Sequence, residues 1–398
     1  MGLSITSLFT GIFATCIIVC FFAGFLRGMV KGIVSLVLAL ACFGIIFALE
    51  GSITTTIMHL DIGGQTVKEV ITSTLAQDPS MESLVNKLVP LIEILVGIVA
   101  FVIGFIGLYF VSRVICFIAG FFIRPDKKRR LLGGLIGIVQ GFIIAFVICV
   151  PINGVLLEVN KLSQIEVEGE QIFSLDSLGF DEYENSPING ILSGVGGGLF
   201  KEISKYSDVD DGRTYTLTGQ VDSVVTVVKI AQTVAKLPEV NFENGLTTDS
   251  VDGVTSILRE LETIKSDSSE EVLETIDELI ESAVEMIGGE EGLQIDIDIS
   301  NLSIKEIDFE NEAVLVETVF EIVEAESFEA IEDEDLDKLV ETFANSKLVL
   351  PVVEAAELDV NLPDDVAEKL TESIEKLEDQ EQIDKLKTLF NLYGNQIS

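Results

Sequence analysis

The chain has 398 residues, with 65 Asp/Glu against 25 Lys/Arg, a formal net charge of −40 and a mean hydropathy of +0.48. An average that is both apolar and strongly acidic describes two different parts: up to residue 156 ten Lys/Arg stand against seven Asp/Glu, and the remainder holds fifteen against fifty-eight. A field this negative excludes nucleic acid as a partner of the second part, and the apolar first part predicts a membrane domain over 1–156 with membrane lipid as its surroundings.

Residues 8–26 and 29–49 are the first two apolar runs, and the second is broken only by Lys31 near its start. Each is about 30 Å long as a helix, one bilayer core, so the chain must turn between them, at Arg27. A third run gives a span over 94–112 with an extension to 123; Glu93 lies at its edge and Arg113 inside it. Ionisable groups at membrane depth are candidate functional residues, so both are candidate intramembrane polar sites. The fourth span covers 131–157. Residues 1–7 carry no Lys or Arg, so a cleaved signal peptide is not expected.

The cations set the expected orientation. Arg124, Lys127, Lys128, Arg129 and Arg130 crowd the loop between spans three and four, and Arg27 and Lys31 flank the first turn. The loop at 51–90 has balanced charge. Cationic loops face the cytoplasm, which places both ends and the acidic part outside.

Small residues recur every four positions: Gly24, Gly28 and Gly32, then Gly133, Gly137 and Gly141, followed by Ala145. That spacing puts them on one helix face, where close backbone approach drives association in lipid. The first series crosses the turn, so only part of it can lie on one continuous face. Lining a pore is the alternative use of such glycines.

The stretch GFLRGMVKGIVSLV (24–37) resembles the first-turn signature of the colicin V production protein (CvpA-like) family. RRLLGGLIGIVQGFIIAFVICVPIN (129–153) resembles that family's other signature, a basic loop end running into a Gly-x-x-x-Gly span. The resemblance covers about residues 1–156. It implies a four-span bacterial plasma-membrane protein linked to toxin production or export, with no known enzyme activity. The family's compact members lack a large acidic domain.

Residues 157–216 read as a turn-rich linker. SPINGILSGVGGGLF and SDVDDG supply the turns; GVGGG follows no strand and has no Lys-Ser/Thr, so it is no nucleotide loop. From 217 to 398 an acidic, mainly helical domain is expected, with helices at about 217–236, 248–265, 312–325, 333–344 and 380–393. SSEEVLETIDELIESAVEMIGG adds one, with Ser268 and Glu271 as a capping box and an apolar face through Val272, Ile276, Leu279, Ile280, Ala283 and Ile287. LPDDVAEKLTESIEKLED adds another, with Asp364 as N-cap and Val366, Leu370, Ile374 and Leu377 on one face. QIDIDIS (294–300) alternates as a strand does. Short segments at 240–244, 307–311 and 360–362 form a faint repeat before predicted helices. The fold class is thus mainly α: a four-helix transmembrane unit followed by an acidic, mostly helical soluble domain.

Chemistry is sparse. His59, in the loop after span two, is the one histidine, so a Ser-His-Asp or Cys-His site in the acidic part is impossible. Cys16, Cys20, Cys42, Cys116 and Cys149 all sit in apolar runs and read as small packing residues; the acidic part holds no disulfide. No His/Cys cluster has zinc spacing. Ser373-x-x-Lys376 lies on a charged helix face and reads as surface. Neither Glu332-Asp333-Glu334-Asp335 nor the Asp208, Asp210, Asp211 group fits an EF-hand, so no cofactor or metal is expected. The expected role is non-enzymatic: an export- or toxin-production-associated envelope component, with an envelope or export protein or a second copy as partner. Two alternatives stay open, a channel or transporter built on the four spans and a membrane-anchored calcium- or basic-ligand-binding domain.

Overall fold

The computed structural model describes residues 4–61, 63–75, 82–119, 129–167, 170–171, 174–207, 212–237, 247–287, 303–324, 332–349 and 364–390. Among them, four helices are long and apolar enough to cross a membrane: Ile5–Arg27, Met29–Met58, Val89–Cys116 and Arg130–Ser163. The first is α1 and the second α2. The third lies within α4 (Glu82–Ala119), and the fourth is α5. A short helix, α3 (Val67–Leu75), stands between α2 and α4.

Local chemistry explains the boundaries. Ser4 caps α1, its hydroxyl accepting from the Ser7 amide. Gly28 ends α1 and begins α2 at φ 83°, a left-handed conformation that costs glycine nothing and lets two spans meet across one residue. Outward faces such as Phe22, Leu26, Ile103 and Phe110 are exposed and apolar, as a lipid-facing bundle requires. Inside lie Phe9, Phe13, Ile46, Phe101, Phe105 and Ala145.

The chain divides into two compact units, Met1–Val225 and Thr226–Ser398. The expected linker over 157–216 is corrected accordingly. Span four continues as helix to Ser163, beyond the expected 157. A two-stranded hairpin, β1 (Glu166–Val167) with β2 (Glu170–Gln171), a 3-10 turn at Asp176–Leu178 and α6 (Phe180–Glu184) follow. The run read as turns is α7 (Pro187–Ile203), and GVGGG lies inside it. Its glycines are weak helix formers, and tertiary packing overrides that weakness: Leu192 and Phe200 are buried, and Gly196 lets Val150 of α5 approach. Strands β3 (Lys205–Ser207) and β4 (Thr214–Thr216) pair antiparallel, and α8 (Leu217–Val234) starts directly after them.

The elements described in the second unit are helices: α9 (Thr248–Asp267), α10 (Glu270–Ile287), α11 (Phe309–Glu324), α12 (Asp333–Asn345), α13 (Asp364–Ile374) and α14 (Gln380–Leu389). One cluster joins Ile257, Leu261, Val272, Leu273 and Ile276 to Ile304, Ile307 and Phe309; another joins Leu336 and Val340 to Leu370, Ile374, Ile383 and Leu386. The cap of α10 is corrected by one residue. Ser268 ends α9 in extended backbone, and the Ser269 hydroxyl accepts from the Val272 amide at 3.4 Å. Asp364 is the first residue of α13. The expected strand at 294–300, the segments 240–244 and 360–362, and Asp208, Asp210 and Asp211 lie outside the described residues.

Candidate functional site

The glycine series brings α1 against α5. A Cβ added at Gly133 would come 2.5 Å from the Gly24 carbonyl oxygen and 2.9 Å from the Gly28 Cα; one at Gly141 would come 2.6 Å from the Cys16 carbonyl oxygen. At Gly24 and Gly137 the added atom would clash with the Gly133 and Cys20 carbonyls. These obstacles are backbone and cannot rotate away. Gly32, across the turn, still meets Ile136 at 3.5 Å, so both sides of the Gly28 break converge on the start of α5.

Arg27 is in the last turn of α1 and Lys31 in the first turns of α2. Arg129, preceding α5, extends a guanidinium nitrogen to the Met29 sulfur at 3.9 Å, and Arg130 begins the helix. These four cations therefore gather at one end of the bundle. Arg124, Lys127 and Lys128 lie outside the described residues.

Arg113 is at the centre of a polar node between all four spans. Its guanidinium donates to the Ser35 hydroxyl of α2 at 2.8 Å and approaches the Cys20 sulfur of α1 at 3.9 Å. It also sits 4.6 Å from the centre of the Tyr109 ring, one turn earlier on α4. From α5, the Gln140 amide donates to the Ser35 carbonyl at 3.2 Å, to its hydroxyl at 3.1 Å and to the Tyr109 hydroxyl at 3.3 Å. Ser35 is about 9 Å from the start of α2 and Gln140 about 15 Å from the start of α5 at the helical rise. The node is thus inside the bundle, in the half nearer the cationic end.

Glu93 is elsewhere. It is separated from Arg113 by twenty residues of one helix, about 30 Å, so the two sequence candidates do not meet. Glu93 is fully buried and pairs with Lys68 of α3 at 3.5 Å. One turn further along α4, the space a Cβ would take on Gly97 is met by the Glu50 carboxylate at 2.7 Å and the Thr54 hydroxyl at 2.9 Å. Lys68, Glu50, Thr54, Ser35, Tyr109, Cys20 and Gln140 were not singled out from sequence as partners. Ser35 and Gln140 do carry a signal, as polar residues inside otherwise apolar stretches.

Chemically, both places are interhelical hydrogen bonding and ion pairing. Among the described residues no group of three or more His, Cys, Asp or Glu side chains is placed to hold a metal ion.

Four apolar helices of spanning length, apolar outward faces and polar residues turned inward define the class of multi-pass α-helical membrane proteins. Compared with protein-family models, curated proteins and solved structures, the chain shows no match.

Proposed function

We propose that the chain is a non-enzymatic protein of the bacterial plasma membrane, an export- or toxin-production-associated envelope component of the colicin V production type. In this reading the cationic end of the bundle is cytoplasmic, and the acidic helical unit stands outside as the surface offered to an envelope or export partner. The observation that carries the scaffold role is the use made of Arg113. Arg113, a cation well inside a span, is engaged with Ser35 and Tyr109, and Gln140 binds the same two residues from α5. Together with the close α1–α5 seam, that arrangement favours a bundle whose polar groups serve helix packing. The family assignment rests on the two signatures at 24–37 and 129–153.

A transporter reading has its own support in Glu93, fully buried and paired with Lys68 beside the Glu50 and Thr54 contact, because buried ionisable groups in spans mark ion paths. Co-purification from membranes after gentle crosslinking decides between them. A defined second protein supports the scaffold, and a homo-oligomer with a wet interior supports transport. Protease added to intact, wall-stripped cells tests the orientation: the acidic unit is expected to be removed while a cytoplasmic marker survives, and its protection overturns the assigned side.

A further inference from the structure

We propose that α7 is a fifth membrane-associated helix, lying at the outer lipid boundary with its exposed face in the headgroup and upper acyl region. This rests on the four-span reading and adds to it a lipid-binding surface outside the spans.

Composition comes first. From Pro187 to Phe200 there is no charged residue, and the first is Lys201. The inward face is filled: Asn189, Leu192, Gly196, Phe200 and Ile203 are buried. The outward face is apolar as well. Val195 is 73 % exposed and Ile191 44 %, with Gly190, Gly194 and Gly198 meeting nothing within 4 Å. A helix facing water on that side would carry charges along it; from Pro187 to Phe200 this face has none, and its exposed charges, Lys201 and Glu202, come only in the last turn.

Depth comes from two spans independently. On α5, α7 contacts Val150 through Gly196, Gly154 through Phe200, and Asn153 through the Ser193 hydroxyl at 3.2 Å. Val150 is twenty residues beyond Arg130, about 30 Å at the helical rise, the thickness of a hydrocarbon core. On α1, the segment leading into α7 covers the opposite end of the bundle from the cations. Phe9 stacks on Tyr183 at 5.0 Å, and a Cβ on Gly179 would come 3.5 Å from Ser4 at the helix start. Both spans put α7 where the lipid-facing surface of the bundle reaches its outer edge, and its exposed apolar face continues that surface. Interfacial helices bury their apolar face about 5–10 Å deep at this level.

The chain contains no tryptophan, so single substitutions give an unobstructed fluorescence signal. Full-length Val195→Trp is reconstituted in phosphatidylcholine vesicles whose acyl chains are brominated either near the headgroup or near the midplane, with Ile191→Trp as a second reporter should the first misfold. Ile103→Trp, on the outward face of α4, reports the spans, and Glu341→Trp reports the acidic unit. The Val195→Trp variant is expected to emit in the blue, to lose most of its emission to shallow bromine and less to deep bromine, and to resist aqueous iodide. Ile103→Trp should be quenched most by deep bromine, and Glu341→Trp by iodide alone. Iodide quenching of both α7 reporters, with Ile103→Trp deep in lipid, overturns the inference and leaves the spans standing. Blue emission shielded from both quenchers means that protein, such as a second copy, covers the face, and also overturns it. An Ile103→Trp variant untouched by either bromolipid overturns the four-span reading itself.

Discussion

The Arg113 guanidinium donates to the Ser35 hydroxyl at 2.8 Å across the α2–α4 contact, and Gln140 shares the same acceptor from α5. Interhelical hydrogen bonds in lipid average about 0.6 kcal/mol, because the separated helices find other partners. A double-mutant cycle of Arg113→Met and Ser35→Ala is expected to show coupling of about 0.5–2 kcal/mol in detergent or lipid unfolding. Additive effects would mean that the contact contributes nothing by itself.

Gly137→Leu is expected to separate α1 from α5, because the added side chain meets the Cys20 carbonyl rather than a movable group. Val139 is 52 % exposed on the outward face, and Val139→Leu should be nearly silent. Membrane accumulation and protease resistance of the two variants check this. Equal behaviour would remove the seam from the account.

Glu312 is 2 % exposed and receives the Ser346 hydroxyl at 2.7 Å and the Lys347 and Leu348 amides at 2.7 and 3.2 Å. Truncating it leaves those donors without their acceptor. Glu312→Ala should therefore cost about 2–4 kcal/mol of the acidic unit's stability, against less than about 0.5 kcal/mol for the exposed Glu341→Ala. Denaturant unfolding monitored by circular dichroism measures both.

Acid should weaken the same unit through paired carboxylates. The hydrogen bond from Lys236 holds Glu260 below its ordinary pKa of 4.5. Burial pushes Asp337 up, and the Lys376 and Ser373 hydrogen bonds outweigh it, leaving the group below 3.8. A depressed carboxylate contributes stability in full above its unfolded value, and the contribution fades as pH falls through the folded one. The loss should begin below about pH 4.5 and be modest, since both pairs are partly solvent-screened. Lys236→Met should flatten the acid limb of stability against pH, and an unchanged slope would discount the pair.

Added sodium chloride should raise the melting temperature of residues 226–398, because like charges repel in the compact state and salt screens them. Calcium at matched ionic strength tests the binding-domain alternative. An inert surface gives no additional effect, whereas saturable stabilisation lost on Asp333→Asn would establish a site.

The apolar runs, a turn between the first two spans (expected at Arg27 and made at Gly28), the four-residue glycine spacing and most acidic helices follow from periodicity and capping, which are local properties of the chain. The chain by itself also determined the charge contrast between membrane and acidic parts. What it could not determine depends on neighbours distant in sequence. The GVGGG run in α7 has poor helix propensity, and burial of the helix's inner face, against Val150, Asn153 and Gly154 of α5 among others, overrides it. Arg113 and Glu93 stood out as anomalies, but their partners Ser35 and Lys68 come from other helices. The Glu312 carboxylate looks like any other acid on a charged helix until the 346–348 turn folds over it. Sequence spacing fixes which face a residue occupies, and tertiary packing decides what that face meets.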